Sequence, residues 1–227
     1  MPLYTTDALI LRTYKLGESD RIVVFLTRDR GKKRGVAKNA RQSRRRFGGA
    51  LEPMTCGRVG YMERERRDLV SLHYVEAFRS PLSAIWPPVG HVANAASGEG
   101  DTALGHVGYF AELIDEWAQE ADPNETLYRL GASIVDAICV GVPIERLARY
   151  FEYWLLRLQG VYEPDASLSD EALAFLASAR IVSPYALAGL AVTTRTLSEL
   201  EEAHRALIAR HLEKDLKSAR VLREMRR

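Results

Sequence analysis

The sequence predicts an α+β fold in two parts, in which an all-β part, a small five-stranded barrel or sandwich, precedes an all-helical part. Two observations lead to this prediction. Short runs of branched and aromatic residues separated by turn residues fill the first eighty positions, and apolar residues recur at helical spacing beyond Pro81. A length of 227 residues suits one or two domains, and 47% hydrophobic residues can form a core. We therefore expect domains over residues 1–80 and 81–227.

The first part contains five segments with the composition of β-strands. Glycine, serine and aspartate separate them, as is typical of turns between antiparallel strands. The expected strands cover residues 7–14, 20–27, 32–37, 55–62 and 68–78. Residues 38–50 interrupt this pattern, so we expect a long basic loop between the third and fourth strands. Five short strands of this kind favour a small closed barrel or a sandwich.

The second part shows the periodicity of amphipathic helices. Three apolar stripes with i, i+3, i+4, i+7 spacing predict three helices. These stripes cover residues 107–118, 127–137 and 144–158. Ser169 is the expected N-cap of a short helix, and Ser198 the expected cap of a last helix that runs toward the C-terminus. Residues 87–103 contain two prolines and three glycines and are expected to form a loop.

The charges of the chain are segregated along the sequence. Residues 28–46, the basic segment, hold ten Lys and Arg and a single acid, Asp29. Residues 81–204 hold 18 Asp and Glu against six Lys and Arg. Because neighbouring cations at this density repel one another unless an anion is present, the basic segment predicts a polyanion-binding element. A solvated loop, or attraction between the two halves of the chain, would also account for the pattern.

The sequence contains none of the usual catalytic or metal-binding motifs. It lacks the glycine-rich phosphate loop, the nucleophile elbow and the HExxH helix. His204 and His211 share a helical face but lie two turns apart, too far for one metal ion without other ligands. Glu112, Asp115 and Glu116 lie opposite an apolar stripe and are expected to be solvated. We expect no catalytic residue, no metal ion and no cofactor.

Two further features concern the compartment. Cys56 and Cys139 are too few for a disulfide framework, which favours reduced thiols in the cytoplasm. No apolar run approaches the roughly 18 residues that a membrane-spanning helix needs. We therefore expect no membrane contact.

The basic segment supplies most of the candidate binding residues. A cationic loop on a small barrel suits single-stranded nucleic acid, because cations follow the phosphates while exposed rings stack on bases. Phe47 is either such a ring or a core anchor, and core packing is favoured for Tyr61 and Tyr74. The candidate nucleic-acid-facing residues are Lys32, Lys33, Arg34, Lys38, Arg41, Arg44, Arg45, Arg46 and Phe47.

The last helix offers a second group of cations. Arg210, Lys214 and Lys217 follow i, i+4, i+7 spacing and would form one stripe on a continuous helix. They indicate either a second anion contact, which would be a second DNA contact if the anion is DNA, or cations that complement the helix dipole.

Three strings of the sequence resemble a known family. They are GESDRIVVFLTRDRGKKRGVAKNARQSRRRFGGALEP (17–53), YFAELIDEWAQEADPNETLYRL (109–130) and ERLARYFEYWLLRLQGVYEPD (145–165). Together they resemble the RecO family of recombination mediators and occur in that family's order. The resemblance implies an OB-fold barrel followed by a helical domain, with the DNA-facing cluster between Lys32 and Arg46.

The resemblance also implies a function. Members of the RecO family bind single- and double-stranded DNA, anneal complementary strands and are not enzymes. With RecR they help to load RecA onto DNA that is coated by single-stranded DNA-binding protein, whose C-terminal tail they also bind. For this chain the resemblance implies a mediator of DNA recombination and repair in the cytoplasm, at the nucleoid.

The chain departs from the family pattern at two points, one of which is the poorly matched region 85–103, and two other functions remain open. Many members carry a four-cysteine zinc module after the G-x-x-P-D string, but no cysteine follows Cys139 here, so no zinc is expected. The residues alone also allow an RNA- or ribosome-associated OB-fold protein that uses the same loop. A helical adaptor, in which the basic segment only supports partner docking, is the second alternative.

Overall fold

The N-terminal part of the chain is a closed five-stranded barrel. The computed structural model describes residues 2–43, 45–63, 68–85, 97–163 and 167–225. The strands are β1 (Leu3–Leu16), β2 (Asp20–Thr27), β3 (Lys32–Ala37), β4 (Cys56–Met62) and β5 (Val70–Arg79). They close in the order β1-β2-β3-β5-β4, and every pairing is antiparallel except the parallel pair of β3 and β5. This barrel is an OB-fold, so the predicted fold class is confirmed.

All five strands lie where the sequence predicts them, but β1 is longer than expected. Its first half pairs with β4 from Leu3 to Leu9, and its second half pairs with β2 from Ala8 to Leu16. One long strand therefore joins two neighbours and closes the barrel. The extension is a consequence of pairing with β4, which the local composition of β1 does not reveal.

The C-terminal part is helical. The helices of the described residues are α1 (Pro81–Ile85), α2 (Ser97–Trp117), α3 (Glu125–Cys139), α4 (Ile144–Leu158), α5 (Asp170–Ala179), α6 (Thr194–Leu212) and α7 (Lys217–Met225), with a 3₁₀ helix (Pro184–Gly189) before α6. All three predicted amphipathic helices are present, as α2, α3 and α4. Residues 97–103 of the expected loop belong to α2, and residues 86–96 lie outside the described residues.

The two predicted helix caps had different outcomes. Ser169 caps α5, because its side chain accepts a hydrogen bond from the backbone N–H of Ala172. The cap predicted at Ser198 is wrong, since α6 begins earlier, at Thr194. Thr193 is its cap, and the Glu171 carboxylate accepts hydrogen bonds from the N–H and hydroxyl of Thr193. A residue on α5 thus determines where α6 starts.

The last helix is broken, contrary to the prediction of one continuous helix. Glu213 adopts a left-handed conformation with φ of 52°, which ends α6. The Glu112 carboxylate then accepts hydrogen bonds from the backbone N–H groups of Lys217 and Ser218 at 3.3 and 2.7 Å, at the start of α7. An acid on α2 therefore stabilises the N-terminus of α7, where the helix dipole favours a negative charge.

The barrel and the helices share a core. Outward-facing side chains of β1 and β2 pack against α2 and α3, in one cluster with residues of α4. These barrel residues are Leu9, Leu11, Val24 and Leu26. Contact with α3 is close at Gly131, where an added Cβ would lie 2.7 Å from Leu9 Cδ2. Inward-facing residues of the barrel form a separate core around Phe25 and Tyr61.

Neither cysteine is paired, and no membrane-spanning helix is found. Cys56 and Cys139 are free thiols, and burial raises the pKa of Cys56 to about 12. Within the described residues, no helix combines the length and apolar character needed to cross a bilayer.

Candidate nucleic-acid interface

The basic segment continues from the end of β2 through β3 into the turn that follows. Hydrogen bonds hold this turn against the first hairpin: the Asn39 N–H donates to Asp20 Oδ1 at 2.8 Å, and the Arg41 N–H donates to the Ser19 carbonyl at 3.2 Å. Asn39 takes a left-handed conformation with φ of 54°, which asparagine tolerates. This turn after β3, which we call the basic turn, therefore lies beside the β1–β2 turn at one end of the barrel.

Six described cations of the basic segment are exposed, and we call the four that lie on β3 and in the turn after it the cationic rim: Arg34, Lys38, Arg41 and Arg45. Arg34 lies 3.9 Å from Glu120, and its side chain is 48% exposed. Among the described residues, Lys38, Arg41 and Arg45 form no ion pair with a carboxylate. Their charges are therefore available to an external anion. Arg44 lies outside the described residues.

Lys32 and Lys33 do not belong to the cationic rim, contrary to the sequence prediction. The Lys32 ammonium lies 3.1 Å from Asp115 Oδ1 on α2, and the side chain is 13% exposed. Lys33 faces the other side of β3, where its ammonium lies 2.8 Å from Glu63. The two neighbours point to opposite faces because side chains alternate along a strand. Both charges are compensated within the protein.

Arg46 and Phe47 are structural residues. The Arg46 guanidinium donates to Ser43 Oγ at 2.9 Å and to the Lys38 carbonyl at 2.8 Å, which closes the basic turn. Its own carbonyl accepts a hydrogen bond from the N–H of Val75 on β5. Phe47 follows this contact into the barrel core and is 1% exposed. Of the two roles that the sequence left open for Phe47, the structure shows the core anchor, so its place among the nucleic-acid-facing candidates is wrong.

We expect the Phe47→Ala substitution to destabilise the protein by about 3–5 kcal/mol, because it leaves a cavity in the barrel core. The free energy of unfolding from urea denaturation measures this loss. Phe47→Leu is the matched variant and should cost clearly less, since it refills most of the space. Equal stability of Phe47→Ala and the wild type would contradict this role.

The second group of predicted DNA contacts does not form a stripe. Arg210 is exposed at the end of α6 and lies 3.1 Å from Glu163. Lys214 contacts Glu116 in the break that Glu213 creates, and Lys217 is the first residue of α7. The spacing i, i+4, i+7 aligns side chains only on a continuous helix. The predicted stripe is therefore wrong.

The acidic face of α2 is not solvated, contrary to expectation. Arg12 lies 2.9 Å from Asp115 and 3.3 Å from Glu112, while Lys214 pairs with Glu116. Burial opposes ionisation of Glu112, but hydrogen bonds from Ser218 and the Arg12 charge outweigh it and lower its pKa. α2 therefore binds both the barrel and the start of α7 through its acids.

Part of the charge segregation is internal attraction between the two halves. In each ion pair that joins the barrel to the helices of the described residues, the barrel supplies the cation. Beyond the contacts of α2, these pairs are Arg28–Glu125, Arg34–Glu120 and Arg79–Asp136. The alternative of attraction between the halves is thus correct for these cations, but within the part of the chain that the structure describes it does not account for Lys38, Arg41 and Arg45.

One exposed aromatic residue near the cationic rim was not among the candidates. Tyr14 is 45% exposed on the outer face of β1, the same face as Arg12. Tyr14 is one of six residues that line a small cleft, and the others are Val24, Lys32, Arg34, Asp115 and Glu120. The strand period could have found it, because Arg12, Tyr14 and Leu16 alternate on one face.

The structure offers no candidate metal site within the described residues, where no three His, Cys, Asp or Glu side chains come together suitably. His204 is buried, with Nδ1 3.0 Å from Glu152 Oε2. His211 stacks on Trp117 with ring centroids 5.6 Å apart. These two histidines therefore have separate structural roles.

Comparisons with known proteins match both parts of the chain. Residues 1–81 match the family model described as "Recombination protein O N terminal", and residues 102–167 match "Recombination protein O C terminal". Proteins named "DNA repair protein RecO" are similar in sequence. The one from Koribacter versatilis (strain Ellin345) is 40% identical over 165 residues, and the one from Geobacter metallireducens is 34% identical over 155 residues.

These similarities cover more of this chain than of the relatives. The Koribacter match spans 72% of this chain and 61% of the relative, and the Geobacter match spans 68% and 57%. A match to the protein of the same name from Anaeromyxobacter sp. (strain K), 38% identical, spans 67% and 55%. The matched region is therefore less than two thirds of each relative's length.

Proposed function

The chain belongs to the RecO family, and we propose that it is a DNA-binding mediator of recombinational repair that acts stoichiometrically and not as an enzyme. The observation that best supports this proposal is the cationic rim on the OB-fold barrel. Lys38, Arg41 and Arg45 project from a turn whose backbone is held by hydrogen bonds, and they have no carboxylate partner among the described residues.

The proposed mechanism is electrostatic. Cations that contact phosphates release condensed counterions, which gives affinity without reading the sequence. The rim neutralises part of the charge on each of two complementary strands and lowers the repulsion that keeps them apart. Annealing then follows from base pairing between the strands, so the protein needs no catalytic residue.

The helical part is the proposed site of protein contacts. Family membership supports binding of RecR and of the C-terminal tail of single-stranded DNA-binding protein, and through them the loading of RecA onto coated DNA. The barrel would then hold the DNA strand while the helices hold the protein partners. The shared core of β1, β2, α2 and α3 supports this arrangement, because it packs the barrel directly against the helices.

Competition binding tests the class of nucleic acid. The full chain is titrated against labelled single-stranded DNA, and unlabelled single-stranded RNA, single-stranded DNA and duplex DNA of one sequence compete. We expect both DNA forms to compete and RNA to compete no better than single-stranded DNA, because phosphate contacts do not recognise a 2′-hydroxyl. A tenfold preference for RNA would favour an RNA-binding function, and binding of none of the three would favour an adaptor.

A strand-annealing assay tests the proposed activity directly. Two complementary oligonucleotides, one with a fluorophore and one with a quencher, are mixed with increasing amounts of the full chain. We expect the annealing rate to rise until the protein covers the strands and to fall at high salt. An annealing rate that does not depend on the protein would contradict the proposed mechanism.

A further inference from the structure

We propose that the outer face of β1–β3 beside the cationic rim is a stacking platform for an unpaired base, with Tyr14 as its ring. This inference rests on the proposed DNA-binding function and adds a preference for single strands over duplex. An unpaired base has a free face to offer, whereas the bases of a duplex are stacked on one another.

The platform is an apolar row across three strands. Tyr14 pairs with Ile22 in the register of β1 and β2, and Ile22 pairs with Val36 in the register of β2 and β3. Side chains directly opposite each other share a face and lie about 4.5–5.5 Å apart at Cβ. Tyr14, Ile22 and Val36 therefore form one continuous strip on the outer face, at the edge of which the Tyr14 ring is 45% exposed.

This strip lies outside the core that the barrel shares with the helices. Further along the same face, α2 and α3 cover Leu11, Val24 and Leu26. α2 ends at Trp117, and the chain then runs beside the start of β3, where the Lys32 N–H donates to the Gln119 carbonyl. Ile22 and Val36 are partly exposed, and neither belongs to the core that the barrel shares with the helices. A large, partly exposed ring at this position indicates a binding surface more strongly than a single exposed aliphatic residue does.

The acids beside the ring are paired within the protein. Asp115 and Glu120 line the cleft next to Tyr14, where Asp115 pairs with Arg12 and Lys32, and Glu120 lies 3.9 Å from Arg34. Arg34 lies beside the same cleft, and Lys38 and Arg41 follow in the turn after β3. A ring beside a cleft of compensated charges, with the exposed cations Lys38 and Arg41 nearby, suits a nucleotide whose uncharged base lies on Tyr14 and whose phosphates lie outside. Aromatic stacking with a cationic border is the general way in which OB-folds bind single strands.

The barrel provides a matched control on another strand. Phe78 on β5 is 50% exposed, and the Arg58 guanidinium lies 5.6 Å from its ring centroid. It therefore combines an exposed ring with a cation, as Tyr14 does, but it lies outside the row on β1–β3. Comparing variants of Tyr14 and Phe78 therefore shows whether the position of the ring on β1–β3 matters, or whether any exposed aromatic residue has the same effect on binding.

The test measures the affinity of the full chain for labelled oligo-dT and for a duplex of the same length. Base–aromatic stacking is worth enough that Tyr14→Ala should weaken oligo-dT binding about 5- to 150-fold. We expect duplex affinity to change less than about twofold, since a duplex offers no free base to stack. Tyr14→Phe should bind like the wild type, and Phe78→Ala should leave both affinities unchanged.

A fluorescence measurement provides a second test should Tyr14→Ala fold poorly. In Tyr14→Trp, oligo-dT should quench emission beyond the change seen in the wild type, which already contains three tryptophans. Wild-type affinity of Tyr14→Ala for oligo-dT, or no extra quenching in Tyr14→Trp, would overturn the platform while the DNA-binding function stands. A wild-type chain that binds neither DNA form would overturn both proposals.

Discussion

Replacing Lys38, Arg41 and Arg45 together by Gln should weaken the binding of single-stranded DNA about 100-fold at 0.1 M salt. Each neutralised phosphate on a single strand contributes about 0.7 to the slope of log affinity against log salt. At 0.1 M salt each contact therefore contributes about 0.7 to the logarithm of the affinity. The loss of three contacts lowers the affinity by about two powers of ten. Fluorescence anisotropy with labelled oligo-dT measures the change.

The matched control removes the same charge elsewhere. Arg129, Arg180 and Arg195 are exposed on the helical part, and their replacement by Gln also lowers the net charge by three. This control should bind oligo-dT within about threefold of the wild type, and neither triple variant should lose much stability because exposed substitutions usually change it little. Equal losses of affinity in the two variants would show that net charge, and not the rim, attracts DNA.

Replacing Glu152 by Ala should destabilise the helical part by about 3–5 kcal/mol, because it removes the carboxylate that pairs with the buried Arg149 guanidinium and accepts from the buried Tyr109 hydroxyl. The Glu152 carboxylate is 1% exposed and accepts hydrogen bonds from Arg149 at 2.7 Å and from the Tyr109 hydroxyl at 2.9 Å. His204 Nδ1 lies 3.0 Å from its second oxygen. One carboxylate thus joins α2, α4 and α6, and the free energy of unfolding in urea measures its contribution.

An exposed acid of the same region is the control for Glu152. Glu163 pairs with Arg210, and both side chains are at least 67% exposed. Glu163→Ala should change the free energy of unfolding by less than about 1 kcal/mol, as is usual for surface ion pairs. If Glu152→Ala unfolded at the same urea concentration as Glu163→Ala, the buried cluster would not stabilise the helical part.

The bounds of β2 and β3 could be predicted because turn residues enclose them. Gly17 and Gly31 both have positive φ, 61° and 69°, and Gly31 also meets the backbone of Asp122 too closely for a Cβ. The positive φ at each turn is a local requirement, so the composition of a few residues reveals it, whereas the contact with Asp122 is not local. The apolar stripes of α3 and α4 are local in the same sense, which is why their prediction was also correct.

The break before α7 could not be predicted, since it depends on a contact between distant parts of the chain. The cap of α7 is Glu112, more than one hundred residues earlier in the sequence. Without this partner, the spacing of Arg210, Lys214 and Lys217 on one continuous helix is a reasonable expectation. Likewise, only the packed structure shows that Thr193, held by Glu171, begins α6 in place of Ser198.

The sequence predicted where the candidate site lies in the chain, but not which of its residues are exposed. Charge counting located the basic segment, but it cannot distinguish Lys32, which meets Asp115, from Lys38, which is exposed. That difference arises because helix α2 lies over one part of the barrel face. The burial of Phe47 depends on the contact between Arg46 and Val75 of β5, which the loop composition does not contain.

The salt dependence of single-stranded DNA binding tests the central claim most directly. With four rim cations on phosphates, the slope of log affinity against log salt should be about −3 for the full wild-type chain. The variant lacking Lys38, Arg41 and Arg45 should show a slope of about −1. A wild-type slope near zero, or equal slopes for the two proteins, would contradict DNA binding through the cationic rim.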